Sequence, residues 1–169
     1  MLTTVAGLPA HPLLVHFAVV FTPVAALLLA VSALWPRARR WLGLATPAVA
    51  LLAVLACVLA KESGERFEKR ILSAFPVGSP GFAKQHEQIE HHAHQATATL
   101  IWAIVVFVLA LALWLVSSGW ARTQLHVPAV VGGRWPAVAL GVLSLVAAVF
   151  AIWGIIATGH TGAAMAWSS

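Results

Sequence analysis

The sequence has little charge and a single cysteine. Only 9% of its 169 residues are charged, while 61% are hydrophobic, and soluble domains typically carry about 25% charged residues. So few charges cannot cover a water-exposed surface, which excludes a soluble globular protein and predicts lipid around the chain. The lone Cys57 excludes an intramolecular disulfide and leaves the redox compartment open.

Two further absences limit the partners and the processing of the chain. The formal net charge is +5, but the basic residues form no stripe with interleaved aromatic residues, so we expect no nucleic acid partner. No Lys or Arg precedes the first apolar run, and the basic start of a signal peptide is therefore missing. We expect the first apolar helix to stay in the mature protein.

Four long apolar segments make up most of the sequence. A bilayer core of about 30 Å requires roughly 20 helical residues, and four runs without Lys, Arg, Asp or Glu meet that length: 12–35, 41–60, 95–119 and 136–157. The predicted fold class is all-α, a single transmembrane domain over residues 1–169. Short connections predict a four-helix antiparallel bundle of two hairpins. Similarity between the hairpins is too weak to establish a repeat.

The ends of the spans indicate their direction. Tryptophans lie at one end of each span on a single side, as in an interfacial aromatic belt; they are Trp35, Trp41, Trp120 and Trp135. Arg37, Arg39 and Arg40 lie on the same side, which the positive-inside rule makes cytoplasmic. The sequence thus predicts a multi-pass protein of the bacterial cytoplasmic (inner) membrane with both termini extracytoplasmic.

The polar extracytoplasmic loop, residues 61–94, is the only long connection. Phe67, Ile71 and Phe75 recur every four residues with charges between them, which predicts a short amphipathic helix over 61–75 lying on the membrane interface. A simple extension of the second span into water fits the same pattern. Residues 76–81 predict a turn, and a helical segment then leads into the third span.

Ionisable residues gather at one membrane face, which we call the polar rim. Seven of the eight histidines and all five glutamates fall there, and only His126 is on the other side. On a helix, Glu87, His91 and His94 share one face. Imidazole and carboxylate groups are ligands that suit zinc, copper, iron or manganese. The rim is therefore the candidate site.

The candidate ligands come from three spans. A metal ion would use residues from the whole rim, namely His11, His16, Glu87, His91, His94 and His160. A b-type haem needs imidazoles from facing helices, and the candidates are His16, His91, His94 and His160. No catalytic residue is predicted. His92 faces away from the side that carries His91 and His94, so we expect it to be a bystander.

Simpler interpretations of these residues stay open. His11 also fits a solvated residue at a helix start, and His16 with His160 also fits a plain interhelical hydrogen bond. Residues 91–94 also fit a solvated juxtamembrane face. Cys57 fits a small packed core residue.

Three segments resemble a family of predicted bacterial membrane proteins, domain-of-unknown-function family 2231. His11-Pro12-Leu13-Leu14-Val15-His16-Phe17 is similar to its HP-x-x-VHF opening, residues 86–100 to its polar lead into the third helix, and residues 159–163 to its glycine-rich close. Ala18 stands where the family usually has Pro, and His160 to Ala163 stand where paired glycines are common. The resemblance implies a four-helix membrane domain. Relatives joined to Rieske-type modules favour an electron-transfer setting, although this chain carries no such module.

Functions of three classes fit the sequence. One is a redox or metal-handling membrane protein with a transition metal ion (Cu, Zn or Fe) or haem b at the rim. Another is a non-catalytic subunit or assembly partner of a larger respiratory membrane complex, or a homo-oligomer, in which the histidines make contacts. A zinc hydrolase ranks below both because the H-E-x-x-H pattern is absent. The sequence does not decide between an ion, a haem and no ligand, or whether the protein is an enzyme.

Overall fold

The computed structural model describes residues 4–5, 8–124 and 133–167. Within these ranges, two-residue strands β1 (Thr4–Val5) and β2 (Leu8–Pro9) pair antiparallel at the start. They are followed by six helices: α1 (Ala10–Leu34), α2 (Pro36–Leu42), α3 (Ala45–Leu72), α4 (Pro80–Ser117), α5 (Gly119–Gln124) and α6 (Arg134–Trp167). His126 lies outside the described residues.

Four of these helices, α1, α3, α4 and α6, are long and apolar enough to cross a membrane, by length and composition. The all-helical class is confirmed. Each predicted span overlaps one of the four, but the second, 41–60, begins in α2 and lies in α3 only from Ala45. Three of the helices continue well beyond the apolar spans. Residues 61–72 extend α3, residues 80–94 form the first turns of the 38-residue α4, and residues 158–167 extend α6. These extensions carry most of the polar rim.

The segment predicted as a separate interfacial helix is the end of α3. The helix runs unbroken through Gly64 and closes where the Ser73 N–H donates to the Lys69 carbonyl at 3.1 Å. The extension of the second span is therefore what forms, because no residue interrupts its backbone hydrogen bonds. Membrane contact by Phe67, Ile71 and Phe75 stays a prediction. The predicted turn ends at Ser79, whose side chain accepts from the Phe82 N–H and caps α4.

The four long helices pack side by side in a closed order. α1 packs against α3 and α6, and α4 packs against the same two helices, while α1 and α4 also touch across the middle. The buried core is rich in small residues, which let helix backbones approach closely; its alanines are Ala25, Ala26, Ala50, Ala53, Ala110, Ala147, Ala148 and Ala151. Larger apolar side chains such as Leu27, Leu55 and Phe150 are exposed on the outside.

The end opposite the rim carries the predicted aromatic belt. Its tryptophans are between 60% and 86% exposed, as expected of side chains at a membrane interface. Arg39 lies beneath α1, where its Nε donates to the Ser32 carbonyl at 2.7 Å. This bond satisfies a carbonyl that the end of the helix leaves without an intrahelical partner. Arg37 and Arg40 are exposed.

Candidate functional site

His11 lies at the start of α1, half-buried against α3. Its Nδ1 is 3.0 Å from the Ala60 carbonyl oxygen and 3.1 Å from Ser63 Oγ, and its ring stacks on Phe67 with centroids 5.9 Å apart. A carbonyl only accepts hydrogen bonds, so Nδ1 carries the proton and donates. The neutral ring therefore has its lone pair on Nε2.

His92 makes the matching contact between α4 and α6. Its Nδ1 is 2.9 Å from Thr161 Oγ1, and the Thr161 hydroxyl itself donates to the Thr158 carbonyl at 3.0 Å. A hydroxyl has one proton, so Thr161 Oγ1 accepts from the Nδ1–H of His92. The lone pair of the neutral ring is again on Nε2.

The surroundings of His92 lower its pKa. His92 lies in the polar part of α4, outside the apolar span. Burial lowers its pKa, the charges of His11 and His91 lower that pKa further, and a hydrogen bond to the Thr158 backbone raises it. His11 and His92 make matching contacts with the second helix of their hairpins. We call His11 and His92 the rim pair.

A glycine makes room for each ring of the rim pair. A Cβ added at Gly64 would lie 3.1 Å from His11 Cε1, and a Cβ added at Gly162 would lie 3.1 Å from His92 Cε1. Such distances are shorter than ordinary van der Waals contact between carbon atoms. The rings can therefore pack against α3 and α6 because these two positions have no side chain.

His92, expected to be a bystander, contacts α6 through Thr161. His92 does turn away from His91 and His94, which are exposed, but that direction leads onto α6. The contact residues Ser63, Gly64, Thr161 and Gly162 were also not among the predicted site residues. The signal present in the sequence is a hydroxyl residue followed by glycine near the end of the second helix of each hairpin.

His16 and His160 are not brought together inside the structure. Both are exposed, and His16 Nδ1 bonds the Pro12 carbonyl of its own helix. The buried face of α1 runs through Ala18 and Thr22, and His16 lies outside that face. The interhelical hydrogen bond considered for the pair is therefore not formed.

Glu87, His91 and His94 line one open groove between α4 and α6, as their spacing predicts. The other lining residues are Lys84, Gln88, Glu90, Thr161, Ala164 and Met165. Across the ranges that the structure describes, no group of three or more His, Cys, Asp or Glu side chains is arranged to hold a metal ion. The groove is open at the rim and is lined by both charged and apolar atoms.

Comparison with known proteins gives no relative from which a role could be transferred. No family model, no curated protein and no solved structure matches the chain. The resemblance to domain-of-unknown-function family 2231 stays a prediction that rests on the three sequence segments. The geometry of the rim is the remaining basis for a function.

Proposed function

We propose that this protein holds a transition-metal centre at its rim, as a bare ion or as the iron of haem b, and serves electron transfer or metal handling. It would do so in the bacterial inner membrane, as two antiparallel hairpins with the rim and both termini on the extracytoplasmic side. The observation that carries the proposal is the rim pair. Two half-buried imidazoles from α1 and α4 have their Nδ1–H groups engaged, which leaves both Nε2 lone pairs available as ligands.

The donor set fits some metal centres better than others. Two imidazoles are sufficient as axial ligands of a haem iron, and imidazole also suits copper. Structural zinc prefers four protein ligands, so zinc fits a pair less well than iron or copper. When bound, such a centre would supply one-electron chemistry.

The residues around the rim pair hold its two rings in the tautomer and orientation that a metal ligand needs. A hydrogen bond from the second ring nitrogen to a carbonyl or hydroxyl fixes the tautomer and orientation of a metal-ligating histidine. Ala60, Ser63 and Thr161 provide these acceptors. Burial disfavours a protonated ring, so the imidazoles stay neutral and able to ligate. The exposed Glu87, His91 and His94 are then part of the outer surface of the rim, not ligands of this centre.

The test is a visible spectrum and metal analysis of protein purified from membranes. Wild-type protein should contain iron or copper, with a Soret band if haem is present. His11→Ala and His92→Ala should each abolish binding while circular dichroism still shows folded helices. His16→Ala and His160→Ala are matched controls, since they remove exposed imidazoles from the same face, and they should bind as the wild type does.

The opposite result would be a wild-type protein that carries no iron or copper and gains none when haem or either metal is added. The metal-centre proposal would then fail. The role of a non-catalytic subunit in a larger membrane complex would be the one to pursue, with the histidines as structural contacts.

A further inference from the structure

We infer that the hairpins α1–α3 and α4–α6 are repeats of one unit related by a pseudo-twofold axis, and that Ser63 and Thr161 are equivalent positioning residues for the rim pair. Three independent correspondences between the hairpins carry this inference: the contacts of the two histidines, the buried positions of the helices and the packing order.

The first correspondence is in the contacts of the rim pair. In each hairpin, the histidine Nδ1 meets a hydroxyl on the second helix, at 3.1 Å in one and 2.9 Å in the other. That hydroxyl donates to the carbonyl three residues earlier, at 2.8 Å and 3.0 Å. The residue after it is a glycine that abuts the Cε1 of the ring. His11, Ser63 and Gly64 thus match His92, Thr161 and Gly162.

The second correspondence is in the buried faces of the first helices. The shift of 81 residues that carries His11 to His92 also carries buried positions of α1 onto buried positions of α4. The matched pairs are Ala18 with Thr99, Thr22 with Ala103, Ala25 with Val106, Leu29 with Ala110, and Ser32 with Leu113. The buried face therefore lies at the same angle around the helix from His11 on α1 as from His92 on α4.

The second helices correspond in the same way. The shift that carries Ser63 to Thr161 carries five buried positions of α3 onto buried positions of α6. These pairs are Thr46 with Ser144, Ala50 with Ala148, Ala53 with Ala151, Ala56 with Gly154, and Cys57 with Ile155. Few of the pairs are identical residues, which explains why the sequence does not reveal the repeat.

The packing order gives the third correspondence. α1 packs on α3 as α4 packs on α6, and α3 packs on α4 as α6 packs on α1. A twofold axis along the helices produces this order, as in membrane proteins built from parallel repeats. α1 and α4 also touch each other, and these two helices carry the rim pair.

The repeat limits the class of ligand that the rim takes. Two copies of one half-site present two imidazoles in the same tautomer and with the same supporting contacts. Resting on the proposed function, the ligand is a single metal atom, bare or in a planar macrocycle, bound by two equivalent imidazoles. Ser63 and Thr161 act through the rings and do not touch the metal.

The test is ¹⁵N NMR of histidine-labelled full-length protein in lipid nanodiscs, before any metal or haem is added. Both His11 and His92 should show a protonated Nδ1 and an unprotonated Nε2. Ser63→Ala should shift the ¹⁵N signals of His11 alone, and Thr161→Val those of His92 alone, while the backbone carbonyls of Ala60 and Thr158 keep both Nδ1 atoms protonated. Each variant should weaken binding of haem or copper by about 10- to 100-fold. The exchange variant Ser63→Thr/Thr161→Ser should preserve both tautomers and the affinity.

Each outcome separates this inference from the proposed function. A protonated Nε2 on either wild-type ring, or loss of binding in the exchange variant, would overturn the equivalence of the half-sites. An effect of one hydroxyl variant without a matching effect of the other would also overturn it. If both rings show the expected tautomer and variant effects but no metal or haem binds, the repeat stands and the proposed function fails.

Discussion

Single glycines decide how closely α4 and α6 approach below the rim. A Cβ added at Gly154 would lie 2.9 Å from Thr99 Oγ1 and 3.4 Å from Thr99 Cα. Thr99 Oγ1 is also 2.8 Å from Thr158 Oγ1, in a hydrogen bond that joins the two helices. This polar contact inside an apolar core therefore depends on the missing side chain at Gly154.

We expect Gly154→Ala to destabilise the protein by about 1–3 kcal/mol, as added volume in a packed core usually does. Gly141→Ala in the same helix is the matched control, because a Cβ there meets nothing within 4 Å. The control should be neutral or stabilising by about 0.5–1 kcal/mol, since alanine favours helix over glycine. Denaturant unfolding in detergent, followed by circular dichroism, measures both. Equal effects of the two substitutions would contradict the close contact.

Residue identity alone shows where the histidines gather but not which of them face inward. The concentration at one rim is readable because charged and polar residues cannot lie in lipid. The difference between His91 and His92 is one step of about 100° around α4, and only the packing against α6 sets that rotation. For this reason Glu87, His91 and His94 could be placed together from spacing, whereas the rim pair could not.

We expect the extension of α3 past the apolar span to be a stable helix in lipid. Residues 61–72 belong to an unbroken helix, so their amides should exchange slowly with deuterium in lipid. Val77 and Gly78 lie in the turn before α4 and should exchange fast. Mass spectrometry of peptides from both stretches gives the comparison. Equally fast exchange would mean that the extension is not a stable helix.

The apolar length of each span was sufficient to predict the four long helices, but their ends needed long-range contacts. Phe67, Ile71 and Phe75 fit an interfacial helix and a continued span equally well, because both are helical and amphipathic. The contact that distinguishes them is Phe67 stacked on His11, a residue 56 positions earlier in the chain. Sequence periodicity predicts the local helix but not a contact with a residue so far away in the chain.

The direction in which the spans cross the membrane is a property of the whole molecule. In a Cys57→Ala background, a membrane-impermeant thiol reagent applied from outside should label Val77→Cys and not Arg37→Cys. The physical reason is that short loops rich in arginine stay in the cytoplasm. Both positions are exposed, so differences in labelling report the side of the membrane. Labelling of the Arg37 variant alone would reverse the topology and place the rim in the cytoplasm.

The alanine-rich core also separates the buried polar side chains of the rim from those at the other end. Among the described residues, buried polar side chains and the thiol stop at Thr22 and Cys57 on the rim side and resume at Ser32, Thr46 and Ser144. Thr22 and Ser32 lie ten residues apart on α1, so the apolar slab between them is about 15 Å thick. Moving one charge across a full membrane potential changes its energy by about 2.3 kcal/mol per 100 mV. A cation that reaches the rim pair never enters this slab, so its binding should be insensitive to the voltage across the membrane.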